Sequence, residues 1–183
     1  MSAKISPRKT PLFKNIKAIL KYYDCLPECG ANCCKIQPIE IDDADRNVLH
    51  KISKEKVNNL DEFVSQGQKF YRMSYPCAFL SESNKCSVYN HRPTPCRIYP
   101  FSVYEESFNL GIYPCYVGVS ICNDFFDYLR KTGTYVSDET IENMLSAKKL
   151  LYSDVEGNPD LDLVGIPFSE ISNFKKYLHE KYQ

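Results

Sequence analysis

Long hydrophobic runs are missing from this 183-residue chain: no stretch of about 18 consecutive apolar residues occurs, so no membrane-spanning helix is expected. Residues 1–23 also lack the apolar core of a signal peptide, because their hydrophobic positions are interrupted by lysines, and a cytoplasmic location is the expectation. Net charge is absent, with 23 basic against 23 acidic residues, which leaves no global electrostatic handle for nucleic acid. Glycine is scarce, seven in all, and none forms a Gly-rich loop that would cradle a nucleotide's phosphates. There is no internal repeat and no low-complexity run, and beyond position 122 there is no cysteine.

Cysteine is what the chain has in excess. Nine lie between Cys25 and Cys122, the densest run being Cys25-Leu-Pro-Glu-Cys29-Gly-Ala-Asn-Cys33-Cys34, followed by Cys77, Cys86, Cys96 and Cys115. Thiolates are soft ligands that hold zinc or iron–sulfur clusters, and short loops between them bring several sulfurs to one ion. A disulfide framework is the rival explanation. Against it, the count is odd, nine in 183 falls short of the roughly 8–10% of disulfide scaffolds, and a chain of this length buries a core without staples. The cysteines therefore read as metal ligands of a reducing compartment.

Charge is uneven at the N-terminus, where Lys4, Arg8, Lys9, Lys14, Lys17 and Lys21 meet no acidic residue before Asp24. Thr10-Pro11 reads as a helix start, and Leu12, Ile16, Ile19, Leu20 and Tyr23 then recur at helical spacing. A basic amphipathic helix can dock on an anionic surface, but the favoured reading is a core-packing helix with a solvated lysine face. Residues 25–122 hold short segments: a strand over 36–41, a helix capped by Asp42 or Asp43 with Val48, Leu49 and Ile52, and a helix over 57–64 ended by Gly67. Strands over 71–80 and 87–89 flank a polar turn, and 101–104 with 110–113 read as a second hairpin. Residues 123–183 read as mainly helical, with Ser137 capping Ile141, Leu145 and Leu150, Ser169 capping Ile171, Phe174 and Leu178, and a loop over 152–167 between them. The expected fold is α+β: a cysteine-cluster domain with its N-terminal helix over 1–122, and a helical C-terminal extension over 123–183 packed on it.

Spacing does not choose the metal. Cys25, Cys29 and Cys33 have three residues between each pair, which zinc allows, whereas the plant-type ferredoxin pattern is only half met by Cys29 and Cys34. Radical chemistry on S-adenosylmethionine needs a cysteine where Asn32 stands and a barrel longer than this chain. Adjacent Cys33 and Cys34 can hardly both face one ion without strain, since neighbouring side chains diverge. Neither cysteine group alone offers four unstrained sulfurs. One composite centre is thus expected, in which Cys29 and one or both of Cys33 and Cys34 meet Cys86, Cys96 and either Cys77 or Cys115.

The sharper signature is Cys86-Ser-Val-Tyr89-Asn-His-Arg92-Pro93-Thr-Pro-Cys96-Arg97-Ile-Tyr-Pro100, coming after Cys-x3-Cys-x3-Cys-Cys. This pattern, over residues 25–120, resembles the YkgJ family of cysteine-cluster proteins, described as zinc- or iron-chelating. The resemblance implies eight metal ligands: Cys25, Cys29, Cys33, Cys34, Cys77, Cys86, Cys96 and Cys115. Cys122 and the tail lie outside it, the first knot is less compact than in the family, and Tyr116-Val117-Gly118 replaces its usual Pro-Gly pair. Because the family includes flagellin lysine N-methylases, methyl transfer is one function it implies.

Four thiolates on Zn²⁺ or on a four-iron cluster leave about two negative charges to be offset. Arg92 and Arg97 flank Cys96 and are the cofactor-binding candidates, able to hydrogen-bond a sulfur or a bound anion. Structural ion pairing is the alternative for each. His91 is a possible nitrogen ligand but is read first as a solvated loop residue, His50 and His179 read as helix-surface residues, and Tyr89 and Tyr99 could donate to the site, with packing the favoured reading among fourteen tyrosines. The expected cofactor is zinc or an iron–sulfur cluster, 4Fe–4S if iron. Three function classes stay open: metal handling or redox sensing, a lysine-methylase-like enzyme, and a structural zinc module that binds a protein partner. No catalytic residue is assigned.

Overall fold

The computed structural model describes residues 11–36, 39–65, 67–104, 108–113, 115–134 and 165–183. These form six helices and two three-stranded antiparallel sheets, an α+β fold, divided into two compact units: Pro27–Arg97, and Met1–Leu26 with Ile98–Gln183. No described helix is long and apolar enough to cross a membrane.

After α1 (Pro11–Ile19), which belongs to the other unit, the chain of the unit Pro27–Arg97 runs through α2 (Asn32–Ile36), β1 (Ile39–Asp42), α3 (Asp43–Ile52), β2 (Asp61–Ser65), β3 (Gln68–Met73) and most of α4 (Thr94–Ile98). The sheet order is β1-β3-β2, with Ile41 opposite Tyr71 and Phe63 opposite Phe70. Alternation along β3 sends Tyr71 and Met73 into a core shared with Ile41, Leu49, Val57, Phe79 and Val88. Asp42 caps α3 as expected, its Oδ1 accepting from the Asp45 amide at 2.7 Å.

Two readings in this unit are corrected. Residues 61–65 are a strand, not the second half of a helix over 57–64: Phe63 stacks on Phe70 at 5.8 Å across the hairpin, and Val57 alone of that segment enters the core. Gly67 is left-handed at φ 72°, which serves a hairpin turn as well as a helix end. The strand expected from 71 stops at Met73, and 89–91 is a 3-10 turn, although Leu80 and Cys86 do pair as an isolated bridge. Residue 36 ends helix α2, so the strand begins only at Ile39.

The other unit holds α1 (Pro11–Ile19), β4 (Phe101–Tyr104), β5 (Asn109–Ile112), α5 (Tyr116–Lys131), β6 (Gly165–Pro167) and α6 (Ile171–Lys181). Helix α1 starts at Pro11 and buries Phe13, Ile16 and Ile19, with Lys14 and Lys17 exposed, so its apolar stripe serves the core. The 101–113 hairpin forms as expected, Phe101 pairing with Ile112. Against the loop reading of 152–167, residues 165–167 form strand β6 beside β5, Ile166 opposite Leu110 and both fully buried. The N-cap of α6 is Glu170, not Ser169, and its carboxylate accepts from the Tyr128 hydroxyl instead of capping. The helix expected after Ser137 lies outside the described residues. Gly118 in α5 is a packing requirement: a Cβ there would stand 2.1 Å from the Tyr113 carbonyl oxygen.

Both ends of this unit close on one buried carboxylate. Asp124 accepts from the Tyr23 hydroxyl at 2.6 Å, the Tyr182 hydroxyl at 2.7 Å and Lys181 Nζ at 2.6 Å. Burial, then the Asp124 hydrogen bond, pushes the Tyr23 hydroxyl well above its ordinary 10.0, and the bond to Asp124 raises Lys181 above 10.5. The folded chain thus keeps protons that the unfolded chain sheds first, so stability is full below about pH 10 and falls above it. Under reducing conditions the urea midpoint is expected to decline as pH rises above about 10, and less steeply in Tyr23→Phe. Parallel profiles for the two proteins would refute this.

Candidate metal centre

Four cysteines of the unit Pro27–Arg97 are brought together from three segments. After Gly30 and Ala31 turn the chain through left-handed conformations, at φ 55° and 60°, α2 opens and carries Cys33 and Cys34. The Cys77 amide donates to the Cys34 carbonyl at 2.7 Å, a direct stitch between the two cysteine groups of the sequence. Phe79 and Val88 plug the core, and between them the loop doubles back: Ser81 N–H donates to the Lys85 carbonyl at 2.8 Å and Ser87 N–H to the Phe79 carbonyl at 2.9 Å. That return sets Cys86 near Cys77, both packed on the core. Cys96 is placed by α4, whose first amide, at Thr94, donates at 2.8 Å to Oδ2 of the buried Asp45.

The thiols sense one another. Burial first, then the charges of Cys34, Cys77 and Cys86, push Cys96 up to about 12, while Arg92 acts the other way. Burial likewise raises Cys77, with Cys34 and Cys86 adding to it. Cys34 goes the opposite way, lowered to about 7, chiefly by a hydrogen bond from Cys33 and in part by Arg92. Mutual repulsion of this kind is relieved when a cation binds among the sulfurs. Among the described residues no group of three or more Cys, His, Asp or Glu side chains stands in an arrangement that could hold a metal ion, so the four thiols do not form a ready coordination shell.

Residues 24–124 match the family CxxCxxCC, described as "Putative zinc- or iron-chelating domain", over more than half of the chain. The chain belongs to the CxxCxxCC family. This bears out the resemblance read from the motif, and the description supports metal binding in general. Comparison with curated proteins and with solved structures finds no match. Within the CxxCxxCC pattern this chain is looser, with three residues between its first cysteines.

The donor set suits the metals in that description. Four soft thiols are what tetrahedral zinc or a four-iron cluster takes, and the buried Nε of Arg92 has no hydrogen-bond partner. Arg97 has a different job: its Nε donates to the Arg92 carbonyl, bracing the loop. Cys29 closes the 3-10 turn Pro27–Cys29 and is half-buried, and Cys33 sits beside Cys34 as its hydrogen-bond partner. His91 is exposed on the turn Tyr89–His91.

In the other unit Cys25 is exposed and Cys115 is the N-cap of α5, its Sγ accepting from the Gly118 amide at 3.3 Å. Burial, with the Cys25 charge, pushes Cys115 up to about 11, against the hydrogen bonds from Gly118, Tyr99 and Val117. Tyr99 thus donates to a cysteine, the role that the sequence offered for it beside the favoured packing one. Cys122 is fully buried among Ile121, Phe125 and their neighbours, and burial raises its proton affinity, as befits a small apolar core residue.

Proposed function

We propose that this protein is a cytoplasmic metal-binding protein whose functional group is a zinc ion or a 4Fe–4S cluster held by Cys34, Cys77, Cys86 and Cys96, serving metal handling or redox sensing. What supports the reading is a zinc- or iron-chelating family match, together with the Cys34–Cys77 backbone hydrogen bond that ties the two cysteine groups, and Cys96 and Cys77 raised first by burial and then by the charges of neighbouring cysteines. Such thiols bind a cation by giving up protons, so metal loading releases protons and is opposed by acid. Zinc would give a colourless, redox-inert centre, while a four-iron cluster would give an electron-accepting one.

Metal analysis and a visible spectrum of anaerobically purified protein test this. One zinc, or about four irons with broad absorption near 400 nm, per chain is expected. A chain that purifies metal-free and takes up neither zinc nor iron under reducing conditions would overturn the proposal.

A further inference from the structure

The sheet of the unit Pro27–Arg97 has the order β1-β3-β2, so β2 is an edge strand, and among the described residues none hydrogen-bonds to its backbone from the side away from β3. Which groups face that side follows from the turn. Ser65 pairs with Gln68 across only two residues, so the pair must exchange its own hydrogen bonds, and alternation directs the N–H and C=O groups of Asp61, Phe63 and Ser65 to β3. Those of Glu62 and Val64 point outward. An open edge of this kind invites a further strand unless charge blunts it. Here the acidic groups are offset within the sheet: Lys69 Nζ lies 2.6 Å from Glu62 Oε1, and Asp61 stands opposite Arg72 in the ladder. Val64 is 69% exposed, and Phe63 is half-buried. The opposite edge, β1, offers less, since it runs directly into α3 at Asp43.

We propose that β2 pairs antiparallel with β2 of a second copy of this chain, about a two-fold axis at Phe63. In that register Glu62 and Val64 of one copy exchange their outward backbone hydrogen bonds with Val64 and Glu62 of the other. No like charges then stand opposite each other, because Asp61 meets Ser65 and Glu62 meets Val64. Phe63 meets its own counterpart in a non-hydrogen-bonded pair, the kind in which side chains approach closest. It already stacks on Phe70 at 5.8 Å, with the Arg72 guanidinium 4.9 Å over its ring, so the pairing continues that stack across the joined sheet. A contact between strands of five residues falls short of the roughly 1,200 Å² of a stable interface, so the dimer is a weak one that forms in the upper micromolar range. It does not depend on which groups hold a metal.

The test is sedimentation equilibrium of the full chain under reducing conditions, from low micromolar to near-millimolar concentration. A monomer–dimer equilibrium is expected for wild type. Val64→Glu sets a carboxylate opposite the second copy's Glu62 and should weaken the dimer about 10-fold, whereas Val64→Lys sets an ammonium there and should stay within about threefold of wild type. Val64→Pro removes an outward N–H that bonds nothing within the sheet, so it should keep the circular dichroism of wild type and remain monomeric throughout. If that variant does not fold, the unequal responses of the two charge variants carry the test. A wild type that stays monomeric at near-millimolar concentration would overturn the inference and leave the edge to some other extended strand. A dimer that a folded Val64→Pro leaves intact, or one that Val64→Glu and Val64→Lys weaken equally, runs through another surface or register and would overturn it too.

Discussion

Cys96→Ser and Cys34→Ser should each lower zinc affinity roughly 100- to 1,000-fold, although the two residues belong to different cysteine groups of the sequence. Structural zinc sites bind with about 10–16 kcal/mol, so one thiolate in four represents about 2.5–4 kcal/mol, and each 1.4 kcal/mol is tenfold. Cys34 shares the effect because its charge acts directly on Cys96 and its carbonyl holds the Cys77 amide. Chelator competition at fixed pH under reducing conditions measures both. Cys122→Ala is the contrast, since that thiol is buried in an apolar core: its zinc affinity should be unchanged while its unfolding midpoint falls. Wild-type affinity in Cys34→Ser combined with loss in Cys96→Ser would exclude Cys34 from the centre.

Elements with a local chemical signature were legible in the sequence, and those fixed by a distant partner were not. Pro11 and Asp42 each announce a helix start through backbone chemistry that does not depend on the rest of the fold, and both helices begin there. The 101–112 hairpin follows from two short apolar runs around a polar turn. By contrast, the 57–65 segment has only Val57, Leu60, Phe63 and Val64 to speak for it, a spacing that suits a helix. Pairing with β3 decides the outcome, through the Phe63–Phe70 stack and the Arg72 guanidinium 4.9 Å over the Phe63 ring, partners that a local pattern cannot contain. Strand β6 is three residues, Gly165–Pro167, with a proline at its end, and only its neighbour β5 makes it a strand.

The site divides the same way. Cysteine number and the run around Arg92 and Cys96 announce a chelating domain, because thiol chemistry is written in residue type. The backbone ties between the two cysteine groups, the Leu80–Cys86 bridge and the Cys77–Cys34 hydrogen bond, are not visible in spacing. Cys33 and Cys34 pair with each other, Cys33 lowering Cys34 through a hydrogen bond, a contact that their spacing did not show. The separate jobs of Arg92 and Arg97 could not be read from their flanking positions, since only the fold shows that one Nε has a carbonyl to bind and the other has none.

Removing metal with a strong chelator under reducing conditions should unfold the unit Pro27–Arg97 and spare the other. The reason is the size of the two cores. Sixteen buried residues, from Ile16 to Leu178, pack together in one unit, whereas seven, Ile41, Leu49, Val57, Tyr71, Met73, Phe79 and Val88, form the other. A core of seven side chains at about 1.5–3 kcal/mol each offsets little of the conformational entropy of about seventy ordered residues, at roughly 1–2 kcal/mol per residue. A bound zinc ion contributes about 10–16 kcal/mol, as much as the whole stability of an ordinary domain, and at the proposed site it would do so by joining α2, the 77–86 loop and α4. Hydrogen exchange is the direct measurement. On chelation, amides of β1 and β3, Phe70 to Met73 above all, should lose protection, while those in the middle of α5 and α6 keep theirs. Unchanged protection across β3 would mean that the small core stands without its metal, and that the thiols line a peripheral site instead of completing the fold.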